Sequence, residues 1–299
     1  MSTTHAAQSP PREDRQAQDR QAQDRQAQDR AGSDREFFAG LGRAAVGALV
    51  FATPMLMTME LWWTGFYISP WRLIVLILAA IPLLTGLSMV NGFKRTETLR
   101  DDVIDAFVAI VVATAVSIAV LLAFGILTFT MNPAEAIGRI ALQAFPASIG
   151  AMLSRSQVSG EKPEHGARPS SYARALVLMA VGALFFGLSV APTDEIQLLA
   201  YRMTPWREFA LMLLSLALMH AFVYGVEFSA SAKARPDTSF WGVFLKFTVV
   251  GYAAVLLLSL CLLWLFGRVD DTDPVEILCA VIVLGFPCSI GAAAARLVV

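Results

Sequence analysis

Two copies of the sequence Phe-Pro-x-Ser-Ile-Gly, at 145–150 and 286–291, are the residues of this chain best suited to unusual chemistry. Each proline follows a glutamate by 11 residues within an apolar stretch, a distance of roughly 16 Å along a helix. Proline cannot donate a hydrogen bond to the carbonyl four residues earlier, so the carbonyls of Leu142 and Val283 lose their usual partner. The candidate pathway or helix-break residues are Pro146, Ser148, Pro287 and Ser289.

These helix breaks have two interpretations. A freed carbonyl beside a serine hydroxyl, in the middle of a membrane, resembles the broken helices with which several transporters coordinate cations. Alternatively, small residues around the motif, such as Ala144, Gly150 and Gly291, form a face for close helix packing, and the proline is a kink within that face. The sequence leaves both interpretations open.

Charged residues at the ends of the apolar runs form a second doubled set. A glutamate and an arginine flank a short hairpin in each half of the chain, and Pro-x-Glu begins a later run in each half. Carboxylates gathered at one end could concentrate cations, whereas helix-start carboxylates and Glu–Arg clips are the ordinary structural alternative. The candidate outer-mouth residues are Glu60, Arg72, Glu135, Glu195, Arg207 and Glu276, with Asp194, Asp270, Asp271 and Asp273 nearby.

Few ionisable residues lie deeper in the apolar runs, and each is therefore a functional candidate. Asp105 and Lys246 are equivalent at an offset of 141 residues, so their opposite charges could pair, although Lys246 could also extend its amine to the interface. His220 could relay protons or be a hydrogen-bonded core histidine. Asp101 and Asp102 are interpreted as a solvated helix start.

Composition limits the class of protein. The chain has 299 residues, 56% hydrophobic and 16% charged, with a formal net charge of −1. Soluble domains carry about 25% charged residues, which argues against a water-soluble enzyme, and the charge excludes a strongly basic nucleic-acid binder. Cys261, Cys279 and Cys288 lie singly in apolar runs. We predict no catalytic, metal-binding or cofactor residue, because the common catalytic motifs are missing; an intramembrane hydrolase using Ser148 with His220 is the open alternative.

Eight apolar runs predict the elements that position these residues. Most are near the roughly 20 residues that a bilayer-spanning helix needs, and isolated strands cannot satisfy their backbone in lipid. We therefore predict an all-α polytopic membrane protein with eight transmembrane helices. The runs are 44–59, 73–93, 106–134, 133–153, 175–193, 209–226, 247–267 and 277–295.

The basic residues predict how these helices are oriented. If the N-terminus is cytoplasmic, 12 Lys and Arg lie at inner ends and loops and 5 at outer ends, which agrees with the positive-inside rule. Both termini are therefore predicted to be cytoplasmic. The hairpins that follow Glu60 and Glu195 then face outward.

The first 36 residues differ from the rest of the chain. From Asp14 the sequence Asp-Arg-Gln-Ala-Gln occurs three times in succession, and no large apolar residue follows before Phe37. Residues 1–36 are therefore predicted to be a disordered, low-complexity cytoplasmic tail. A Gly- and Pro-containing cytoplasmic linker, 156–172, is predicted to separate a first four-helix repeat, 37–155, from a second, 173–299.

The two predicted repeats match in order along the sequence. Residues 45–49 recur as 180–184 at an offset of 135, and residues 132–135 and 145–151 recur at an offset of 141. Each repeat contains an even number of spans, so both enter the membrane in the same direction. We predict two parallel repeats related by an axis along the membrane normal.

The Gly- and Ala-rich first helix, Glu60, Pro70-Trp71-Arg72 and the doubled Phe-Pro-x-Ser-Ile-Gly motif together resemble a family of bacterial integral membrane proteins of unknown function. The resemblance covers about 37–299 and leaves out the tail. It implies a multi-pass protein of the bacterial inner (plasma) membrane. It brings no activity, ligand or site residue.

The doubled helix breaks and the parallel repeats suggest a function. The first hypothesis is a transporter or channel-like protein that moves a small solute or cation along the interface between the repeats. Its partners are then the lipid bilayer and that solute. The alternative is a non-transporting scaffold or sensor module, in which the same motifs only pack helices.

Overall fold

The computed structural model describes residues 37–91, 99–157, 172–230 and 244–298. The tail 1–36 and most of the linker 156–172 lie outside these residues. Within them the chain is all-helical and contains no strand, which confirms the predicted helical class. The described part of Met1–Arg43, the first of two compact units, consists of the opening turns of the first helix.

The described residues form eight long helices and two short ones. The long helices are α1 (Phe37–Leu56), α3 (Pro70–Asn91), α4 (Leu99–Ala123), α5 (Pro133–Gln157), α6 (Tyr172–Val190), α8 (Pro205–Ala230), α9 (Val250–Leu265) and α10 (Pro274–Val298). The short helices, which the sequence analysis did not predict, are α2 (Met59–Tyr67) and α7 (Glu195–Arg202). A π-helical turn, Phe244–Val249, leads directly into α9.

Seven of the long helices are long and apolar enough to cross a membrane. These are all of the long helices except α8, which has 26 residues but carries Arg207, Glu208 and His220. Large apolar side chains in the spans are also exposed, among them Leu78, Val111 and Leu257. A surface of this kind is expected where lipid, rather than water, surrounds the protein. The chain is therefore a multi-pass helical membrane protein, and an eighth span stays a prediction.

The same local signals begin α5 and α10. Each helix starts at a proline, which is tolerated there because the first N–H of a helix has no helical partner. The side-chain oxygen of Asn132 accepts the N–H of Ala134 at 2.9 Å, and that of Asp273 accepts the N–H of Val275 at 2.9 Å. Glu135 and Glu276 follow in the first turn, where a carboxylate complements the helix dipole.

A glycine in a left-handed conformation ends both α4 and α9. Gly125 has φ +68° and Gly267 has φ +74°. The next N–H bonds back to the carbonyl five residues earlier, from Ile126 to Leu121 at 2.9 Å and from Arg268 to Leu263 at 2.8 Å. This hydrogen-bond pattern is the Schellman motif, and it turns the chain sharply into the connection that precedes the next helix.

Helices α5 and α10 occupy the centres of their halves. Helix α5 contacts α2, α3 and α4, while α10 contacts α6, α7, α8 and α9. In α5 67% of the apolar window is buried, against 33% in α3 and 28% in α4. The halves meet where α3 contacts α6 and α9, and where the rings of Phe51 and Phe185 lie 4.6 Å apart.

A pair of glycines in each half brings the backbones of two long helices into direct contact. A β-carbon on Gly150 would overlap the carbonyl oxygen of Gly47, and one on Gly291 would overlap that of Gly182. Helix α5 thus crosses α1, and α10 crosses α6, at points where only glycine fits. Gly150 and Gly291 are the last residues of the two Phe-Pro-x-Ser-Ile-Gly motifs.

Candidate functional site

The two proline motifs lie inside continuous helices. Helix α5 continues through Pro146, and α10 through Pro287. The Ser148 hydroxyl donates to the Phe145 carbonyl at 2.6 Å, and the Ser289 hydroxyl donates to the Phe286 carbonyl at 2.7 Å. The serines therefore bond to the carbonyl three residues earlier, and not to the two carbonyls that the prolines leave open.

The surroundings of both motifs are tightly packed. Ser148 is 1% exposed and Ser289 is 0% exposed. One turn before Pro146, the buried Gln143 donates from its Nε2 to the Ala52 carbonyl of α1 at 2.9 Å. Together with the glycine crossings, these contacts favour the packing interpretation of the motif.

Around the short helices, the two halves differ. We call the region formed by α2, α7 and the connections 124–132 and 266–273 the short-helix end. In the first half it is closed by Arg139 of α5, which is 9% exposed. Its guanidinium pairs with Glu135, donates to the Ile126 carbonyl at 2.6 Å and lies 5.7 Å from the ring centre of Trp62.

Glycines allow this close arrangement in the first half. A β-carbon on Gly138 would overlap the carbonyl oxygen of Gly65, so the backbones of α2 and α5 touch there. A β-carbon on Gly65 would in turn lie 2.7 Å from the backbone nitrogen of Arg139. The charge of Arg139 is thus neutralised by Glu135 in a tightly packed site, and little space remains.

The second half has a pocket at its short-helix end. A cavity of about 280 Å³ lies between α7, α8, α10 and the connection 266–273. Apolar and small residues, including Met203, Cys279 and Ala280, form part of its wall. The polar side chains that line it are Gln197, Tyr201, Glu208, Arg268, Thr272 and Glu276.

Hydrogen bonds fix one wall of this pocket. The Tyr201 hydroxyl donates to Glu276 Oε2 at 3.1 Å. This hydrogen bond, together with the negative charge of Glu276, raises the pKa of Tyr201 above its usual value of 10.0. The Gln197 amide donates to the Arg268 carbonyl at 2.9 Å, which ties α7 to the connection before α10.

The charges around the pocket are unevenly paired. The Arg268 guanidinium pairs with Asp194 and also donates to the Pro192 carbonyl, so its charge is balanced by a residue outside the pocket wall. Among the described residues, no lysine or arginine forms an ion pair with Glu208 or Glu276. The two carboxylates of the pocket therefore have no lysine or arginine partner among the described residues, since Arg268 is paired with Asp194.

The predicted outer-mouth residues do not all come together. Arg72 pairs with Asp270 and lies 5.4 Å from the ring centre of Trp264, so it joins the halves instead of clipping to Glu60. Glu195 and Arg207 are exposed, and neither side chain forms a hydrogen bond or ion pair with a described residue. Of the six predicted residues, only Glu276 lines the pocket, while Glu135 is held by Arg139.

The predicted intramembrane charges lie elsewhere. His220 Nδ1 is 2.9 Å from Thr248 Oγ1, and its ring packs on Phe244 with centres 5.2 Å apart. These contacts favour the core-histidine interpretation. Asp105 is half-buried. The side chain of Lys246 lies outside the described residues, so its ion pair with Asp105 stays a prediction.

The interpretation of Asp102 as part of a solvated helix start is wrong. Asp102 is 5% exposed and accepts a hydrogen bond from Ser88 Oγ at 2.8 Å. Helix α4 therefore begins its buried face one turn earlier than the hydropathy of the run indicates. The cause is the packing of α4 on α3, which covers the carboxylate and supplies its donor.

Five of the six polar pocket residues were not among the predicted site residues: Gln197, Tyr201, Glu208, Arg268 and Thr272. Gln197 and Tyr201 are four residues apart in α7 and therefore lie on one face of that helix. This spacing is informative only once α7 is known to be a helix, and the sequence predicted a simple hairpin there. Among the described residues, no group of three or more His, Cys, Asp and Glu is placed to hold a metal ion.

Comparison with known proteins gives one match. A family model described as "Putative integral membrane protein (DUF2391)" matches residues 40–299. This range contains all the elements from α2 to α10 and the pocket. No curated protein and no solved structure matches the chain.

Proposed function

The chain belongs to this family of integral membrane proteins, and from that premise we propose that it is a solute-binding membrane module built from two parallel repeats. In this proposal eight helices, including α8, span the bacterial inner membrane with both termini in the cytoplasm. The pocket of the second half then faces the outside and receives a small solute.

The order of the helices supports the two repeats. Helices α1 to α5 and α6 to α10 follow the same sequence: long, short, and three further long helices. At the offset of 135 Gly47 corresponds to Gly182, and at the offset of 141 Gly150 corresponds to Gly291. Both corresponding pairs make the same backbone contact. The Schellman glycines at the ends of α4 and α9 agree as well.

The observation that carries the proposed function is the pocket between α7, α8 and α10. It combines a cavity of about 280 Å³ with convergent polar side chains, whereas ligand sites for drug-sized molecules have volumes of about 300–1,000 Å³. The solute is therefore small. The packed state of both proline motifs supports binding without transport, as in a sensor, over a pathway along the interface between the repeats.

Transport of the small solute or cation is the second candidate, because each half carries a Pro-x-Ser motif with a buried serine in its central helix. The two candidates differ in what the serine hydroxyls must do. Flux into liposomes is compared for the wild type and for Ser148→Ala combined with Ser289→Ala. Flux that this double variant abolishes, while binding at the pocket remains, would favour transport over a sensor.

Binding is tested with the full chain in lipid nanodiscs and a panel of small cations, neutral solutes and anions, followed by calorimetry. We expect saturable binding that Ala280→Leu abolishes by filling the pocket. The control is Ala217→Leu in α8, since Ala217 is exposed and does not line the pocket. No saturable binding of any class, or binding unaffected by Ala280→Leu, would refute the proposal.

The predicted topology has its own test. Single cysteines replace Ser69, between α2 and α3, and Ser159, in the linker, in a background from which the native cysteines are removed. A membrane-impermeant thiol reagent added to intact cells should label position 69 and spare position 159. The reverse labelling would place the pocket on the cytoplasmic side.

A further inference from the structure

The pocket of the second half corresponds in sequence to a site of the first half that already holds a cation. At the offset of 141, Glu276 corresponds to Glu135 and Ala280 corresponds to Arg139. In the first half, the Arg139 guanidinium is bound by Glu135 and by the Ile126 carbonyl. In the second half the carboxylate is retained, but alanine replaces the arginine.

The replacement of Arg139 by alanine is accompanied by other changes that enlarge the site. Two glycines, Gly65 and Gly138, let α2 and α5 touch in the first half. Ala200 takes the place of Gly65 at the offset of 135, and Cys279 takes the place of Gly138 at the offset of 141. A side chain at each position keeps α7 and α10 from making that backbone contact. The cavity of about 280 Å³ lies at this place, with Ala200, Cys279 and Ala280 in its wall.

Two of the polar residues of the pocket, Glu208 and Glu276, are carboxylates, which accept hydrogen bonds and carry negative charge. Glu276 and Glu208 are not paired with a lysine or arginine among the described residues. Glu208 takes the place of Leu73, so the pocket has a carboxylate at a position where the first half has an apolar side chain. The charge of Arg268, the arginine in the pocket wall, is balanced by its ion pair with Asp194, and its guanidinium also donates to the Pro192 carbonyl.

We propose that this pocket binds a small organic cation carrying a guanidinium or primary ammonium group, with Glu276 as its counterion. Such a ligand supplies the several N–H donors that two carboxylates can accept. It reproduces from solution the contact that Arg139 makes within the chain. This inference rests on the proposed solute-binding function and adds the chemical class of the solute.

The test uses the full chain in lipid nanodiscs at constant ionic strength, with calorimetry or ligand-observed NMR as the readout. The probes are methylguanidinium, its neutral counterpart methylurea, butylammonium and acetate. We expect methylguanidinium and butylammonium to bind, and methylurea and acetate to bind at least roughly tenfold more weakly, since neither can form an N–H hydrogen bond from a positive charge to a carboxylate.

Two variants connect this binding to the pocket. Glu276→Gln should weaken methylguanidinium binding roughly tenfold or more, whereas Glu195→Gln, which removes an exposed glutamate outside the pocket, should not change it. Ala280→Arg should abolish binding, because it supplies the cation from within the chain. If that variant does not fold, the two glutamate variants still decide the question.

The outcomes separate the inference from the function on which it rests. Equal binding of methylurea and methylguanidinium, or preferential binding of acetate, would overturn the cation class and leave a solute-binding pocket in place. Cation binding that Glu276→Gln does not weaken would overturn the role of Glu276. No saturable binding of any probe would overturn the inference, and the wider solute panel would then decide whether the proposed function survives.

Discussion

In the first half of the chain, Trp62, Gly65 and Arg139 close the space between α2 and α5, whereas Gln197, Ala200 and Ala280 line an open pocket in the second half. The helices around the two sites follow in the same order and begin and end with the same signals. The difference therefore lies in side chains and not in the scaffold. A few substitutions are enough to turn a packed ion pair into a cavity.

The two glycine crossings are the feature that the halves share most closely, and changing them should have the largest effect. Gly150→Leu and Gly291→Leu each force a side chain into a backbone carbonyl. We expect each to lower the stability by about 3 kcal/mol or more, measured by thermal unfolding in detergent. The matched control is Gly86→Leu in α3, because a β-carbon on Gly86 has no atom within 4 Å.

Different losses of stability in Gly150→Leu and Gly291→Leu would contradict the equivalence of the two glycine crossings. Similar losses at Gly150 and Gly291 would support equal roles in the two halves. A large loss at one position with none at the other would show that only one half depends on its crossing. A large loss from Gly86→Leu would mean that the leucine side chain, and not the crossing, is the cause.

Arg139→Ala should have the next largest effect, because it turns the closed site into one like the open pocket. It leaves the largely buried Glu135 without its cation, and breaking a buried ion pair in this way costs about 3–5 kcal/mol. We expect methylguanidinium to restore part of the lost melting temperature, and methylurea to restore none. A loss that neither probe reverses would mean that packing, not charge, holds this site closed.

Removing the ion pair that joins the halves should have a smaller effect. In Arg72→Ala the chain loses the contact with Asp270, whose side chain is 50% exposed, and the contact with Trp264. Exposed ion pairs contribute about 0–1 kcal/mol and weaken in salt. We expect a loss of about 1 kcal/mol in thermal unfolding at low salt and less at high salt. The control, Arg207→Ala, removes an exposed side chain that bonds to no described residue and should have no effect.

The smallest expected effect is a change in the titration of Tyr201. Its hydrogen bond to Glu276 raises the pKa of the Tyr201 hydroxyl in the folded protein. The contribution of this bond to stability is therefore fully present below the unfolded pKa of about 10 and is lost as the pH rises through the raised value. The ultraviolet difference titration of wild type minus Tyr201→Phe should report this raised pKa. Glu276→Gln should shift the pKa of Tyr201 back toward its usual value. An unchanged pKa in this variant would contradict the hydrogen bond between Tyr201 and Glu276.

Much of the scaffold follows from the sequence for clear physical reasons. Long apolar runs predict membrane helices because the bilayer leaves the backbone no other partner. Proline with a following glutamate marks the starts of α5 and α10 correctly. The predicted boundary at 155 lies two residues before α5 ends at Gln157, since hydropathy does not register a helix that continues past the last apolar residue.

The pocket could not be predicted in the same way. Arg139 has an alanine counterpart in the second half, but the sequence alone does not show that the space of the missing side chain stays open. Short helices such as α7 have no span-length signal, so Gln197 and Tyr201 were not recognised as neighbours of Glu276. The partner of Arg72 was also unpredictable, because Asp270 lies 198 residues away and only the packing of the halves brings them together.

The proline within α10 also has a mechanical consequence. Pro287 lies between the pocket residues near the start of α10 and the Gly291 crossing near its end. Proline removes one backbone hydrogen bond of the helix at that point. Helix α10 is continuous, but its hydrogen bonding is weaker at Pro287 than in the parts before and after it. The part before Pro287 carries Glu276, and the part after it packs on α6 at Gly291. Bending of α10 therefore costs the least energy at Pro287.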